Sequence, residues 1–504
     1  MLLNTKDRLT LIRVTINSLI VIFVSIYFFI VPFIIIVSRL KDENLKSTRI
    51  PAYIFEQHYL LTQKIESWAK ERIVSDKAKK ADLNNITTTE WPIFGSVFYL
   101  WLTENLQKEW ENNPHIFKAA PKIYAREAVN TLARLVSDPK QAYWVKKQWG
   151  EDYLKKENLF YRFMLISALT SYQELTGSGI YENTLRGQVV TLSDEIDRAR
   201  DGLVNDYPEE CWLPDIAAAI YSIKKADRVL GLNHDGFVER ARRSFSGNYI
   251  DKTTGLPVAY VNITSGYRDI TRGCGNSYML IYAPALWKDY SKRWYDLHTK
   301  QYWQKRWGAY GFREFPRKSG TSDWSFEVDA GPILAGHGIA ASAFGIGAAR
   351  ANGRFDHAYP LMAEALAVSW PIPKGLSLIT HLLSNTTEAP YVGDACLLFN
   401  YTVMPGDGLP IVKGNRLPSF VYIATALYLI LGLLLFFDSI KKLVRIYGTE
   451  SWPPSPYARY IFILWLVLLI VGLILITGYS KTAWGILFIL LALLLPAKIL
   501  IRTK

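Results

Sequence analysis

Apolar residues dominate four long stretches of the chain, and between the first and second of these they recur at helical spacing. The first run, Ile16 to Val37, is broken only by Asn17, Ser18, Ser25 and Pro32. It is long enough to span ~30 Å of hydrocarbon. It also exceeds a secretory h-region, and no small-residue cleavage site precedes Arg39, so the run is expected to stay as a signal anchor. Three more runs, at about 418–437, 460–478 and 482–500, predict three C-terminal spans. The expected organisation is an N-terminal anchor at 1–38, a central domain at 39–416 and a membrane domain at 417–504.

The central domain reads as helices of ordinary length. At 214–230, Ile216, Ile220, Ile223, Ala226 and Leu230 form one stripe, Pro214 opens the helix and Gly231 closes it. Similar spacing predicts helices near 92–110, 118–137, 158–176, 181–200, 277–290, 333–351 and 356–370. Segments 246–276 and 308–331 are rich in Gly, aromatic and charged residues and lack helical periodicity. Long loops of that kind often carry function. Polar or acidic residues stand ahead of helix starts at Glu90, Glu157, Glu210, Cys274, Asp329 and Asp394, at intervals of 67, 53, 64, 55 and 65 residues. Each interval holds a helix, a return helix and a loop. The predicted fold is therefore mainly α, with six hairpins closing into an (α/α)6 toroid whose inner helix ends meet at one mouth. An irregular helical bundle is the other architecture the pattern admits, because no sequence repeat accompanies it.

Charge changes the picture once it is located. The 504 residues carry a formal +13, which by itself suggests nucleic acid. Residues 1–38 contribute +2 and 417–504 contribute +6, leaving only +5 for the 378 residues between. The basic excess belongs to membrane flanks, so no nucleic-acid partner is expected. Lys6, Arg8 and Arg13, then Lys441, Lys442, Arg445 and Arg459, then Lys498, Arg502 and Lys504 are expected to face the cytoplasm. Both termini are then cytoplasmic and the central domain lies outside the plasma (inner) membrane. A cytoplasmic domain is the alternative, because Arg39, Lys41, Lys46 and Arg49 also flank the first span. Three Cys exclude a disulfide scaffold.

Three constellations carry candidate chemistry. Tyr207-Pro208-Glu209-Glu210-Cys211-Trp212-Leu213-Pro214-Asp215 places carboxylates and a thiol at a helix N-terminus, where backbone donors and the dipole favour ionised Glu and Cys. Acidic first-turn residues and a buried Cys are equally ordinary structural features. Arg268-Asp269-Ile270-Thr271-Arg272-Gly273-Cys274-Gly275-Asn276-Ser277-Tyr278 flanks Cys274 with two glycines, and Asn276 or Ser277 is placed to cap the following helix. A Cys211–Cys274 disulfide is open in an oxidising compartment. Trp324-Ser325-Phe326-Glu327-Val328-Asp329-Ala330-Gly331-Pro332 puts Glu327 and Asp329 on one side if extended. His337 follows within Gly336-His337-Gly338, where small residues suit close helix packing rather than dinucleotide binding. Glu90 and Trp91, after Thr87–Thr89, offer a further wall. Of thirteen Trp in 39–416, Trp91, Trp212 and Trp324 stand nearest these clusters, suited to stacking on sugar or enclosing an isoprenoid chain. HExxH, P-loop, CxxC and GxSxG motifs are absent from the sequence.

On Glu157-Asn158-Leu159-Phe160-Tyr161-Arg162, the cluster at 207–215 and Val328-Asp329-Ala330-Gly331-Pro332, the central domain resembles the linalool dehydratase/isomerase domain family. The resemblance implies an α/α barrel with a buried apolar pocket and no metal or organic cofactor. It also implies acid–base addition or removal of water on an unsaturated alcohol by Asp, Tyr, His and Cys side chains. Cys211 and Cys274 match the family's pocket thiols, and Glu90 is nearest to its early acidic position. The expected activity is a lyase (hydro-lyase or isomerase) on an apolar substrate. Glu210 or Asp215 would transfer the proton, Asp329 would be its partner, and Tyr207, Cys211 and Cys274 would line the reacting centre. Glu90, Trp91, Trp212, Arg268, Asn276, Tyr278, Trp324 and His337 are the expected substrate contacts. A glycan-processing enzyme on the same scaffold, and a non-catalytic envelope component, are the alternatives.

Overall fold

A computed structural model describes residues 5–327, 330–447, 458–477 and 482–495. These residues are mainly helical and fall into two compact units, 1–37 with 423–504, and 38–422. In the smaller unit, Thr5–Ser25 and Val31–Leu40 join through a π-turn at Ile26–Ile30, next to Pro32, which cannot donate to a helical ladder. Helices Ala458–Thr477 and Thr482–Leu494 pack on each other. Among the described residues, Arg8–Leu40 and Ser419–Tyr447 are long and apolar enough to cross a membrane, while Tyr460–Gly472 and Trp484–Leu493 are apolar but shorter.

Among the described residues of the larger unit, the twelve longest helices are α1 (Ala52–Val74), α2 (Trp91–Asn112), α3 (Arg126–Ser137), α4 (Leu159–Thr176), α5 (Glu182–Arg198), α6 (Leu213–Leu230), α7 (Asp235–Ser246), α8 (Gly273–Leu286), α9 (Lys288–Tyr302), α10 (Ile339–Ala351), α11 (Phe355–Val368) and α12 (Val392–Thr402). The even-numbered helices are apolar and buried along most of their surface. Each packs on the next, α2 on α4, α4 on α6 and so on to α12, which packs back on α2. Odd-numbered helices such as α5, α9 and α11 keep a polar face and lie against these. The even helices meet at like heights. A Cβ on Gly95 of α2 would lie 3.3 Å from Val392 in α12, one on Gly275 of α8 would lie 3.1 Å from Pro214 in α6, and Gly347 of α10 fits against both Asn400 of α12 and Ile281 of α8. Their N-termini therefore gather at one end.

Local chemistry explains several boundaries. Pro214 sits in the first turn of α6, where its missing N–H costs nothing, and Gly231 ends the helix at φ +65°. α8 begins at Gly273 rather than 277 and stops where Trp287 leaves helical torsions. α10 begins at Ile339 rather than 333, because Gly331–Leu334 (β6) pairs with Ser325–Glu327 (β5) and with His337–Gly338 (β7). The two segments without helical periodicity supply one strand of each of the other two pairs, at 260–262 and 309–312. Glu210–Trp212 (β1) pairs with Tyr260–Asn262 (β2), and Trp303–Arg306 (β3) pairs with Ala309–Phe312 (β4).

The middle of the helix circuit is filled with aromatic rings that reach across it. Phe98 of α2 meets Phe344 of α10 and Phe399 of α12, Trp101 meets Tyr282 of α8, and Tyr282 meets Tyr221 of α6. Below them, Glu104 of α2 accepts from Lys225 of α6, from Lys108 (2.7 Å) and from Ser171 of α4 (3.0 Å). Glu174 of α4 lies 3.9 Å from both lysines, and burial with the neighbouring Glu104 carboxylate holds its carboxyl up at about 7.

A second raised carboxyl sits on the outer layer. Glu364 of α11 accepts from the Tyr310 amide at 2.7 Å, and burial pushes its pKa up to about 8. A folded-state pKa above the unfolded one contributes stability that is complete at low pH and is lost as pH rises through about 8. Glu364→Gln keeps the acceptor without the charge. It is expected to stabilise the protein by up to about 4 kcal/mol more at about pH 9 than at about pH 5. Thermal melts at the two pH values read the difference, and an equal effect at both would contradict it.

Candidate functional site

The strongest concentration of unusual side chains lies at the N-terminal end of α6. Two sequence features meet there. The motif at 157–162 is a structural clamp. Glu157 and Asn158 adopt left-handed torsions (φ +49° and +51°), the fully buried Arg162 guanidinium bonds the Glu195 carboxylate, and Glu195 also accepts from the Glu157 amide. The clamp holds the segment that precedes β1: the Leu159 amide donates to the Asn205 carbonyl at 3.0 Å, and Asn205 Nδ2 donates to Glu157 at 3.0 Å. Phe160 stacks on Tyr207.

That segment presents Asp206, 1% exposed. One carboxylate oxygen accepts from the Trp212 amide at 2.6 Å, and the other is buried with no hydrogen-bond partner. Burial is the main cause that drives the Asp206 pKa well above the usual carboxylate range, followed by the negative charge of Asp215 and then of Glu90 and Glu210, against the single amide bond. Burial and these neighbouring charges thus favour the protonated form of Asp206. Tyr207 donates to Glu90, and burial with Glu90, Asp215 and Asp206 keeps it a hydroxyl. Asp215, in the first turn of α6, is the charge that recurs around this site: it acts on Asp206, Tyr207, Cys211, Tyr278 and Tyr282. A buried carboxyl beside a second carboxyl is an arrangement that general acid–base chemistry uses.

Cys211 departs from its expected state. It is fully buried in β1, and burial together with Asp206 and Asp215 raises its pKa well above that of a free thiol. The helix terminus that would favour a thiolate is overruled by desolvation and like charge, so Cys211 is a neutral thiol. Cys211, Cys274 and Cys396 form no disulfide among the described residues. Cys274, half-buried in the first turn of α8, donates its amide to Glu314 Oε2 at 3.2 Å. Asn276 and Tyr278 are buried on the same helix, Asn276 donating to Arg272 O (2.9 Å) and to Pro257 O (3.3 Å). Tyr278 lies among Tyr282 and Phe344, within reach of the Asp215 field. Trp212 packs on Tyr260 with its indole N–H buried and unpartnered, as is that of Trp101. Trp91 is half-buried at the first position of α2.

Three expected contacts lie elsewhere. Arg268 is exposed on the strand return, its guanidinium 5.2 Å from the Tyr249 ring centroid and bonded to the Asn248 carbonyl. Arg272, not Arg268, pairs with Asp269. Trp324 is 56% exposed and pairs with Trp307. His337 lies in β7, where Arg306, Arg313 and Asp323 are the charges that act on it, and burial lowers its pKa. Asp329 and Val328 lie outside the described residues, so Asp329 has no assigned place as the proton-transfer partner. Asn400, one of four Asn-X-Thr sites, is fully buried and closed to glycan attachment.

Asp206 and Glu314 were missed from sequence. Glu314 is fully buried between the starts of α8 and α10, its carbonyl accepting from Gly273 at 2.7 Å. A Cβ on Gly273 would collide with the Arg313 carbonyl, an atom of the backbone that cannot step aside. Gly273→Ala is expected to cost about 3 kcal/mol, read as a lowered thermal midpoint; an unchanged midpoint would show that this approach is loose. Among the described residues, no group of three or more His, Cys, Asp or Glu is arranged to hold a metal ion.

No known protein-family model matches the chain, and no curated protein matches it.

Proposed function

We propose that this is a membrane-anchored enzyme that adds water to, or removes it from, an apolar isoprenoid or lipid-like alcohol. The observation that carries the reading is Asp206: a carboxyl 1% exposed, with one oxygen unpartnered, whose ionisation is opposed by burial and by the charges of Asp215, Glu90 and Glu210. In dehydration, the Asp206 proton passes to the substrate hydroxyl as its C–O bond breaks. Water leaves, and Asp215 takes a proton from the neighbouring carbon as the double bond forms. Proton return from Asp215 to Asp206 resets the pair. Tyr207, held by Glu90, and the unpartnered Trp212 and Trp101 N–H groups are suited to orient the hydroxyl and the leaving water.

The closed circuit of even-numbered helices supports reading the domain as an (α/α)6 toroid of the linalool dehydratase/isomerase-like kind. Four membrane spans, with both termini cytoplasmic and the domain outside, follow from the apolar runs and the placing of Lys and Arg. The test is to incubate the purified full chain with isoprenoid alcohols and follow water loss by mass spectrometry. Alkene formation supports the reading. Alcohols that return unchanged, with cleavage of an oligosaccharide instead, would favour the glycosidase reading that the same four carboxylates also suit. In that case a carboxyl separation of about 5–5.5 Å or 6.5–9.5 Å would mark retention or inversion.

A further inference from the structure

Outside the helix circuit, the β3–β4 hairpin turns through Trp307 (φ +53°) and Gly308 (φ +77°). A non-glycine residue in left-handed torsion is costly, yet this turn uses it to hold an indole outward, 68% exposed. Trp307 pairs with Trp324 at 5.7 Å, and Phe326, two residues after Trp324 on β5, is 70% exposed, so this face carries three exposed large aromatic side chains. The Arg306 guanidinium sits 5.3 Å from the Trp307 ring centroid, and Lys305, Arg317 and Lys318, on the same hairpin and the loop that follows it, are exposed. Asp323 is already bonded to Arg306 and Arg313. The same turn is fastened to the first turn of the apolar helix Ser419–Tyr447: the Phe420 amide donates to the Gly308 carbonyl at 3.1 Å, and Ser419 Oγ does so at 3.4 Å.

We propose that Trp307, Trp324 and Phe326, with their cationic rim, are seated in the anionic phospholipid headgroup layer of the bilayer that Ser419–Tyr447 enters. Tryptophan is enriched at that depth because its ring is apolar and its N–H is polar, and lysine and arginine near the surface gain from anionic lipid. A helix whose first turn lies at the interface fixes the level of the carbonyl bonded to it, and so of Trp307 beside it. The proposal rests on the reading of Ser419–Tyr447 as a span.

Trp307→Cys and Trp324→Cys, spin-labelled in the full chain in nanodiscs containing anionic phospholipid, test it through collision with oxygen, which prefers lipid, and with a nickel complex, which prefers water. Val74→Cys, 85% exposed at the end of α1, gives the aqueous reference, and Leu434→Cys in the apolar helix gives the lipid one. Wild type carried in parallel gives the background of the three native thiols. The expected oxygen-to-nickel ratio at 307 and 324 is several-fold above that at 74 and below that at 434. A ratio equal to that at 74, with 434 reading as lipid, overturns the proposal and leaves the span intact. If 434 also reads as water, the span reading falls and the proposal with it.

Discussion

Asp206→Asn is expected to lower turnover of the alcohol substrate by about 10²–10⁴-fold, the usual contribution of a positioned general acid, while leaving the fold in place. The amide keeps an oxygen for the Trp212 N–H and occupies the same volume, so β1 and the start of α6 retain their geometry. What it lacks is the proton. Asp215→Asn should reduce turnover for the complementary reason, and it should also let Asp206 ionise at lower pH, because its charge is the strongest electrostatic cause of the raised pKa. The two variants therefore differ in pH profile. A wild-type activity that falls as Asp206 ionises should fall at lower pH if residual activity survives in Asp215→Asn. Unchanged turnover in Asp206→Asn, with substrate and product measured by mass spectrometry, would remove the residue from the mechanism.

The largest expected loss of stability belongs to the far end of the helix circuit. Lys225 is 6% exposed and Glu104 4% exposed. Lys225→Met preserves length and removes the charge, leaving the buried Glu104 carboxylate with Lys108, itself half-exposed, and with Glu174 close by. Breaking a buried pair by deleting one partner costs about 3–5 kcal/mol, whereas replacing both by neutral groups of like shape is often tolerated. Lys225→Met is thus expected to lower stability by about that amount, and Lys225→Met with Glu104→Gln to recover most of it. Equilibrium denaturation of the two variants is the check. A neutral single variant would mean that Glu104 simply takes up a proton, and that the network does not tie α2, α4 and α6 together.

Much of this architecture was legible in the chain because helix starts obey local rules. Pro214, Asp215 and Gly231 marked α6 within a residue, and Glu90 and Asp394 stand at the starts of α2 and α12. The rule failed at Asp329, where the helix begins ten residues later at Ile339, because the intervening glycines and Pro332 form a β-hairpin that helical periodicity does not register. The amphipathic outer helices α7 and α9 were hidden by their charge, being polar on all but one narrow face. At the site, the cluster 207–215 was visible as acidic residues before a helix, but Asp206 stood one residue outside it. Nothing local distinguishes Asp206 from an ordinary turn aspartate. Its burial is created by β1 folding over it and by the clamp at 157–162, contacts between segments some fifty residues apart. The Cys211 thiol shows the converse: the local helix-terminus argument favoured ionisation, and tertiary desolvation reversed it.

The proposed mechanism requires Asp206 to be a neutral carboxylic acid at neutral pH, and infrared difference spectroscopy reads that state without a substrate. Wild type minus Asp206→Asn, recorded at about pH 7 on the full chain, is expected to show the carbonyl stretch of an un-ionised carboxyl that persists until the pH is well above the usual carboxylate range. A difference spectrum with only the paired stretches of a carboxylate would mean that Asp206 is ionised in the folded protein, and the acid–base assignment would fall with it.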